Sequence, residues 1–150
     1  MEGRSEIEID WLDEQSPTMH RTVEDRKKVI RRHTDLAVYQ RSFELAMNLF
    51  ALSKHFPAEE RYSLTGQVRR SSRSVSANIT EAWRNRRYPA AFVAKLTDAE
   101  AEAAETQTWI AFAKECEYLA ADEATSLHNA YDQLLGMLIT MIRNSSDWKL

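Results

Sequence analysis

One hundred and fifty residues suit a single domain, and a chain of that size buries roughly two-thirds of its unfolded surface, enough for a core without cross-links. Three glycines and three prolines against 43% hydrophobic and 29% charged residues exclude a turn-rich sheet protein and point to an all-α domain. Cys116, the one cysteine, excludes an intrachain disulfide, and the net charge of −3 conceals a division of charge between segments that matters more than the total.

The acidic start MEGRSEIEID lacks the basic and apolar regions of a signal peptide, which points to a cytoplasmic protein. Residues 1–33 are acidic at first (Glu6, Glu8, Asp10, Asp13, Glu14) and then basic (Arg26, Lys27, Lys28, Arg31, Arg32), with little apolar surface to bury. They are expected to form a mobile or partly helical extension, followed by a helical domain over residues 34–146 and a short tail at 147–150.

The first predicted helix begins after Thr34 or Asp35, either of which suits an N-cap. It carries Leu36, Tyr39, Phe43, Ala46, Met47 and Phe50 at helical spacing to about His55. Phe56-Pro57 ends it, because a residue before proline is pushed out of the α region. A second helix runs from Glu59 or Ser63 to Asn85, and Pro89 suits the first turn of a third. The third, over about 90–118, repeats Phe92, Leu96, Ala99, Ala103, Thr106, Ile110 and Ala113 at alternating spacings of 4 and 3. Trp109, Phe112 and Cys116 add a second apolar edge, on which Cys116 is expected to be a packed thiol. Asp122 is the expected cap of a fourth helix, with Leu127, Tyr131, Leu134, Leu138 and Met141 on its inner line. Short links set neighbours antiparallel, so the expected fold is an antiparallel up-down four-helix bundle. The longest apolar run, Leu134 to Ile142, is about half of what a membrane span needs and reads as core.

The second helix is the most informative segment, because at about 100° per residue it carries three stripes instead of two. Leu64, Val68, Val75, Ile79 and Ala82 form an apolar seam, and Arg69, Arg73, Ser76, Thr80, Arg84 and Arg87 form a basic face. Between them Gln67, Arg70, Ser74, Asn78 and Glu81 follow at spacings of 3, 4, 4 and 3, the rhythm of a contact seam. This polar line reads either as solvated surface or as a subunit interface, where paired polar groups fix register and oligomer state. Residues 58–87 hold seven arginines against Glu59, Glu60 and Glu81, a net of +4, while residues 90–119 hold six acids against Lys95 and Lys114, a net of −4. Adjacent helices could therefore neutralise each other. The alternative is that Arg69, Arg73, Arg84, Arg86 and Arg87, helped by Arg61, track a phosphate backbone, since guanidinium forks match phosphate geometry. Near that arginine face only Trp83 and Tyr88 offer stacking aromatics.

Catalytic and metal patterns find no support. A ferritin-like di-metal bundle needs Glu-x-x-His pairs, and the four histidines are preceded at that spacing by Pro17, Ile30, Leu52 and Thr125. Serines 71, 72, 74 and 76 have no histidine nearby in the helix, and there is no glycine-rich phosphate loop. No cofactor, metal or small-molecule substrate is expected.

The run FPAEERYSLTGQVRRSSRSVSANITEAWRNRR, followed by FVAKLTDAEAEAAETQTWIAFAKECEYL, resembles the small bacterial four-helix-bundle family of 23S rRNA intervening-sequence proteins. Relatives of that family include the accessory variability protein of diversity-generating retroelements. The resemblance covers about residues 35–145. Its most specific positions are Phe56-Pro57, Glu60, Leu64, Gln67, Arg70, Ser74, Asn78-Ile79 and Glu81, with Glu102, Glu105-Thr106, Ala113 and Tyr118-Leu119 in the third helix. Ala82, Val75-Ser76 and Asp98-Ala99 stand where the family commonly has glycine, proline and a Gly-Ser pair, changes that favour straighter helices. The resemblance implies a homo-oligomer, specifically a pentameric barrel of bundles, with no known enzymatic activity. Its retroelement branch implies a basic partner for RNA or DNA and for a nucleic-acid enzyme.

Overall fold

Apolar side chains that recur on a helical period leave water only against a similar surface, and four helices here supply that surface to one another. The computed structural model describes residues 29–150. Most of the expected N-terminal extension therefore lies outside the described residues. Among them the chain is all-α, with no strand. Its long helices are α1 (Ala37–Ser53), α2 (Leu64–Arg84), α3 (Pro89–Glu115) and α4 (Ala121–Arg143). Short 3-10 turns lie at His33–Asp35, Ala58–Glu60 and Ser145–Trp148. α2 packs on α1 and α3, and α4 packs on α3 and α1, so each helix has two helical neighbours.

The predicted seams of α2, α3 and α4 are the buried ones. Val75, Ile79 and Ala82 of α2, Leu96, Ala99 and Ala103 of α3, and Tyr131, Leu134 and Leu138 of α4 have no exposed surface. Burial pushes the Tyr131 phenol far above its ordinary range. Helix α1 departs from expectation. Its inner line is Val38, Ser42, Leu45, Ala46, Leu49 and Ser53, while Phe43 and Met47 are 52% and 50% exposed. The inward face is the apolar line of Val38, Leu45 and Leu49, and Ser42 can be buried beside it because its Oγ lies 2.8 Å from Ser76 Oγ of α2, which leaves Phe43 and Met47 on the outer side. A second buried pair, Thr106 Oγ1 to Ser71 Oγ at 2.8 Å, ties α3 to the other flank of α2.

Helix ends follow local chemistry. Pro89 starts α3 at its first turn, as its spacing predicts. Glu123 accepts a hydrogen bond from the Ala120 N–H at 3.3 Å, so α4 starts ahead of the expected cap Asp122, which sits in the first turn instead. The C-terminus of α3 closes as a Schellman motif, with the Tyr118 N–H on Ala113 O at 2.8 Å and the Glu117 N–H on Lys114 O at 2.9 Å. Cys116 is the C-cap and is exposed, which corrects the expected packed thiol: the helix stops before its apolar edge can bury it. Trp148, inside the expected tail, ends a 3-10 turn and packs edge-on against Trp83 with ring centroids 6.3 Å apart.

Glu117 occupies the motif's left-handed position, φ 62°, where a Cβ is disfavoured by about 1–2 kcal/mol. Glu117→Gly is therefore expected to stabilise the fold by about 1 kcal/mol, raising the thermal midpoint by about 3 °C. Differential scanning calorimetry checks this, and Glu117→Ala should show no such gain.

Candidate functional site

The two flanks of α2 meet different neighbours and differ in chemistry. On the α3 flank, the polar line closes on partners within the chain. Arg70 Nη1 lies 3.2 Å from Glu102 Oε2, Arg70 also bonds Glu105, and its Nε donates to Gln67 Oε1 at 3.2 Å. The hydrogen bonds that Arg70 donates to Glu105 and Glu102 raise its guanidinium pKa above the ordinary value. Glu81 Oε2 sits 2.7 Å from Lys95 Nζ, and that hydrogen bond raises the lysine. Asn78 Nδ2 donates to Ser74 O one turn back in its own helix, at 3.0 Å. Trp109 Nε1 donates to Glu105 Oε1 at 3.1 Å, which extends the network along α3.

The α1 flank carries cations without acids. Arg69 Nε donates to Ser53 Oγ at 2.8 Å, and its guanidinium stands 4.8 Å from the Phe50 ring centre. Lys54 Nζ and the Arg73 guanidinium lie 4.7 and 5.7 Å from the same ring. Among the described residues none of these three cations forms an ion pair. Next to them Tyr39, Phe43, Met47, Arg73, Ala77 and Thr80 line an open groove of about 310 Å³ with no carboxylate on it. Phe43 stacks on Tyr39 with centroids 6.0 Å apart and planes 29° from parallel. These aromatics come from α1, so inspection of the arginine-rich segment alone could not reveal them. Ser76 and Thr80, expected on the basic face, both line the groove, with Ser76 at its buried floor against Ser42.

At the far end of α2 the remaining arginines gather around the turn into α3. Arg84 and Arg87 are exposed, and the Arg86 guanidinium lies 3.3 Å from the Trp83 ring centre. The Arg86 Nε is buried without a hydrogen-bond partner, and burial, then the charge of Arg84, lowers its pKa. The charge complementarity expected between the second and third helices is thus carried by Arg70 alone among the arginines. Among the described residues Arg61, Arg69, Arg73, Arg84, Arg86 and Arg87 have no carboxylate within ion-pair distance.

Other surfaces carry less chemistry. A cleft of about 910 Å³ between the start of α1 and the end of α4 has Arg41 and Asp147 as its charged side chains. Among the described residues no group of three or more His, Cys, Asp or Glu side chains is placed to hold a metal ion, and no helix is long and apolar enough to cross a membrane.

Comparison with known proteins decides the relationship. The family model of the 23S rRNA-intervening sequence protein matches residues 34–140, which span all of α1 to α3 and most of α4. The chain belongs to that family. A crystal structure from Bacteroides thetaiotaomicron VPI-5482, described as a protein with unknown function from the S23 ribosomal protein family, is 31% identical with a TM-score of 0.65. The match covers 71% of this chain and 95% of that one. No curated protein matches the chain significantly. The family match includes both flanks of α2, the paired and the unpaired.

The α3-flank contacts are half-exposed, so they should contribute little individually. A double-mutant cycle on Arg70→Gln and Glu105→Gln, followed by chemical denaturation, is expected to give a coupling of about 0.5–1 kcal/mol that shrinks at about 1 M salt.

Proposed function

We propose that this family member is a non-catalytic, homo-oligomeric scaffold of four-helix bundles. The antiparallel up-down arrangement is supported by paired positions that move in opposite senses. Ser42 meets Ser76 while Ser53 meets Arg69, and Arg70 meets Glu105 while Glu81 meets Lys95. Cytoplasmic residence is part of the same proposal.

The single observation that carries oligomerisation is the outer ridge of α3. Opposite its buried seam, α3 exposes Ala94, Ala101, Ala104, Ala111 and Phe112, the last 54% open to solvent and tilted against Trp109 at 5.9 Å. A helix that is weakly polar on both sides serves two partners, and small side chains let a second helix approach closely. The polar line Gln67, Arg70, Ser74, Asn78 and Glu81 borders α3. Its mutual hydrogen bonds lower the cost of covering it, so it can serve as the register-setting part of a subunit seam. A contact between unlike faces of successive copies forms a ring when its rotation closes, and the family resemblance is what supports a ring of five.

The six arginines without carboxylates favour a second reading, in which the assembled scaffold contacts RNA or DNA or an enzyme that acts on them. Repetition around a ring would multiply a weak patch through avidity.

Light scattering on the full chain at micromolar concentration tests the scaffold. The expected particle holds five 17.4 kDa chains, and Ala101→Arg or Phe112→Glu should reduce it to monomers with helical content intact. A stable wild-type monomer would contradict the proposal.

A further inference from the structure

Three cations around one aromatic ring, with no ion-pair partner among the described residues, is an arrangement that a folded chain tolerates at a cost. Lys54, Arg69 and Arg73 repel one another, and among the described residues the Phe50 quadrupole and the Ser53 hydroxyl offset that repulsion. The same face continues without interruption into the groove that holds Phe43 and Arg73 together. There the aromatic row is not merely present but ordered: His33 meets Tyr39 edge-on at 5.0 Å, and Tyr39 stacks on Phe43. Phe43 and Met47 are half open to solvent, so this is an exposed apolar shelf with a cationic border.

We propose that this α1/α2 face binds single-stranded nucleic acid, with phosphates on Lys54, Arg69 and Arg73 and bases on the Tyr39–Phe43 shelf. The proposal rests on the nucleic-acid reading above and narrows it to one face and one strand state. Two features select this occupant. A carboxylate-free, preorganised cation group favours a polyanion, and guanidinium donors on fixed stems match phosphate oxygens. Phe43, half open to solvent and stacked on the partly buried Tyr39, offers an aromatic surface to an unpaired base, which a duplex keeps inside its own stack. An acidic peptide would use the cations and leave the shelf unused. A second copy of the chain would bury the shelf and change the oligomer mass.

The test uses the full-length protein and fluorescent probes of about 12 nucleotides, within the range of single-strand sites, as oligouridylate, oligothymidylate and a mixed-sequence duplex. Anisotropy titrations between about 50 and 200 mM salt read affinity and its salt slope. Single strands are expected to bind about tenfold more tightly than duplex. Phe43→Ala should weaken them about tenfold through the lost stack, leaving duplex affinity and oligomer mass unchanged. The Arg69→Gln/Arg73→Gln double variant should flatten the single-strand salt slope by about 1.4. Salt-dependent binding that ignores Phe43→Ala, or that favours duplex, would overturn this face while leaving the nucleic-acid reading standing. Absence of binding in every arm would overturn both. A change of oligomer mass in Phe43→Ala would also overturn it, identifying the groove as a contact between copies.

Discussion

Two buried hydroxyl contacts, Ser42 with Ser76 and Thr106 with Ser71, fix how α2 sits between its neighbours. They hold the helix at short range from both α1 and α3, because serine and threonine fill little space and their polar atoms cannot be buried unpaired. Once α2 is clamped at that rotation, the rest of its circumference is committed. Val68, Val75 and Ile79 go to the core, Arg70 and Glu81 go to the acidic and basic side chains of α3, and Arg69 and Arg73 go to Phe50 of α1. One rotation therefore separates a paired set of charges from an unpaired set.

The separation has energetic consequences. On the α3 side, opposite charges meet at half-exposed positions, where each pair contributes little but a network sets register. On the α1 side, like charges share a ring, which keeps their stems ordered while their charges remain available. A chain with a net charge of −3 can in this way present a local face of the opposite sign. The outer ridge of α3, with its alanines and Phe112, lies away from that face, so assembly and ligand contact need not compete for the same surface.

Much of this was legible in the sequence where a single helix holds the information. The 4-3 repeats of α3 and α4 located their buried lines, and the 100° spacing of α2 already divided Arg70 from Arg69 and Arg73. What was illegible depends on contacts between helices. Ser42 and Ser53 look like surface residues until Ser76 and Arg69 are seen opposite them, so the spacing that rightly turns Leu36 and Ala46 inward also points Phe43 and Met47 inward, where the structure exposes them. The aromatic row beside the arginines was missed for the same reason, since it belongs to a different helix. Cys116 was misplaced because the stop of α3 is set by a Schellman closure through Glu117, a non-glycine residue that gives no sequence signal for a left-handed turn.

The division of α2 into a paired and an unpaired flank is the claim on which the rest stands, and the salt dependence of unfolding measures it directly. Arg70→Gln and Arg73→Gln, compared with the parent chain by chemical denaturation at low and high salt, read the two flanks separately. The account predicts that Arg70→Gln loses up to about 1 kcal/mol at low salt and less at high salt, while Arg73→Gln is neutral or gains a few tenths at low salt as repulsion around Phe50 is relieved. Equal, salt-sensitive losses in both variants would show that Arg73 is paired as Arg70 is, and would contradict it.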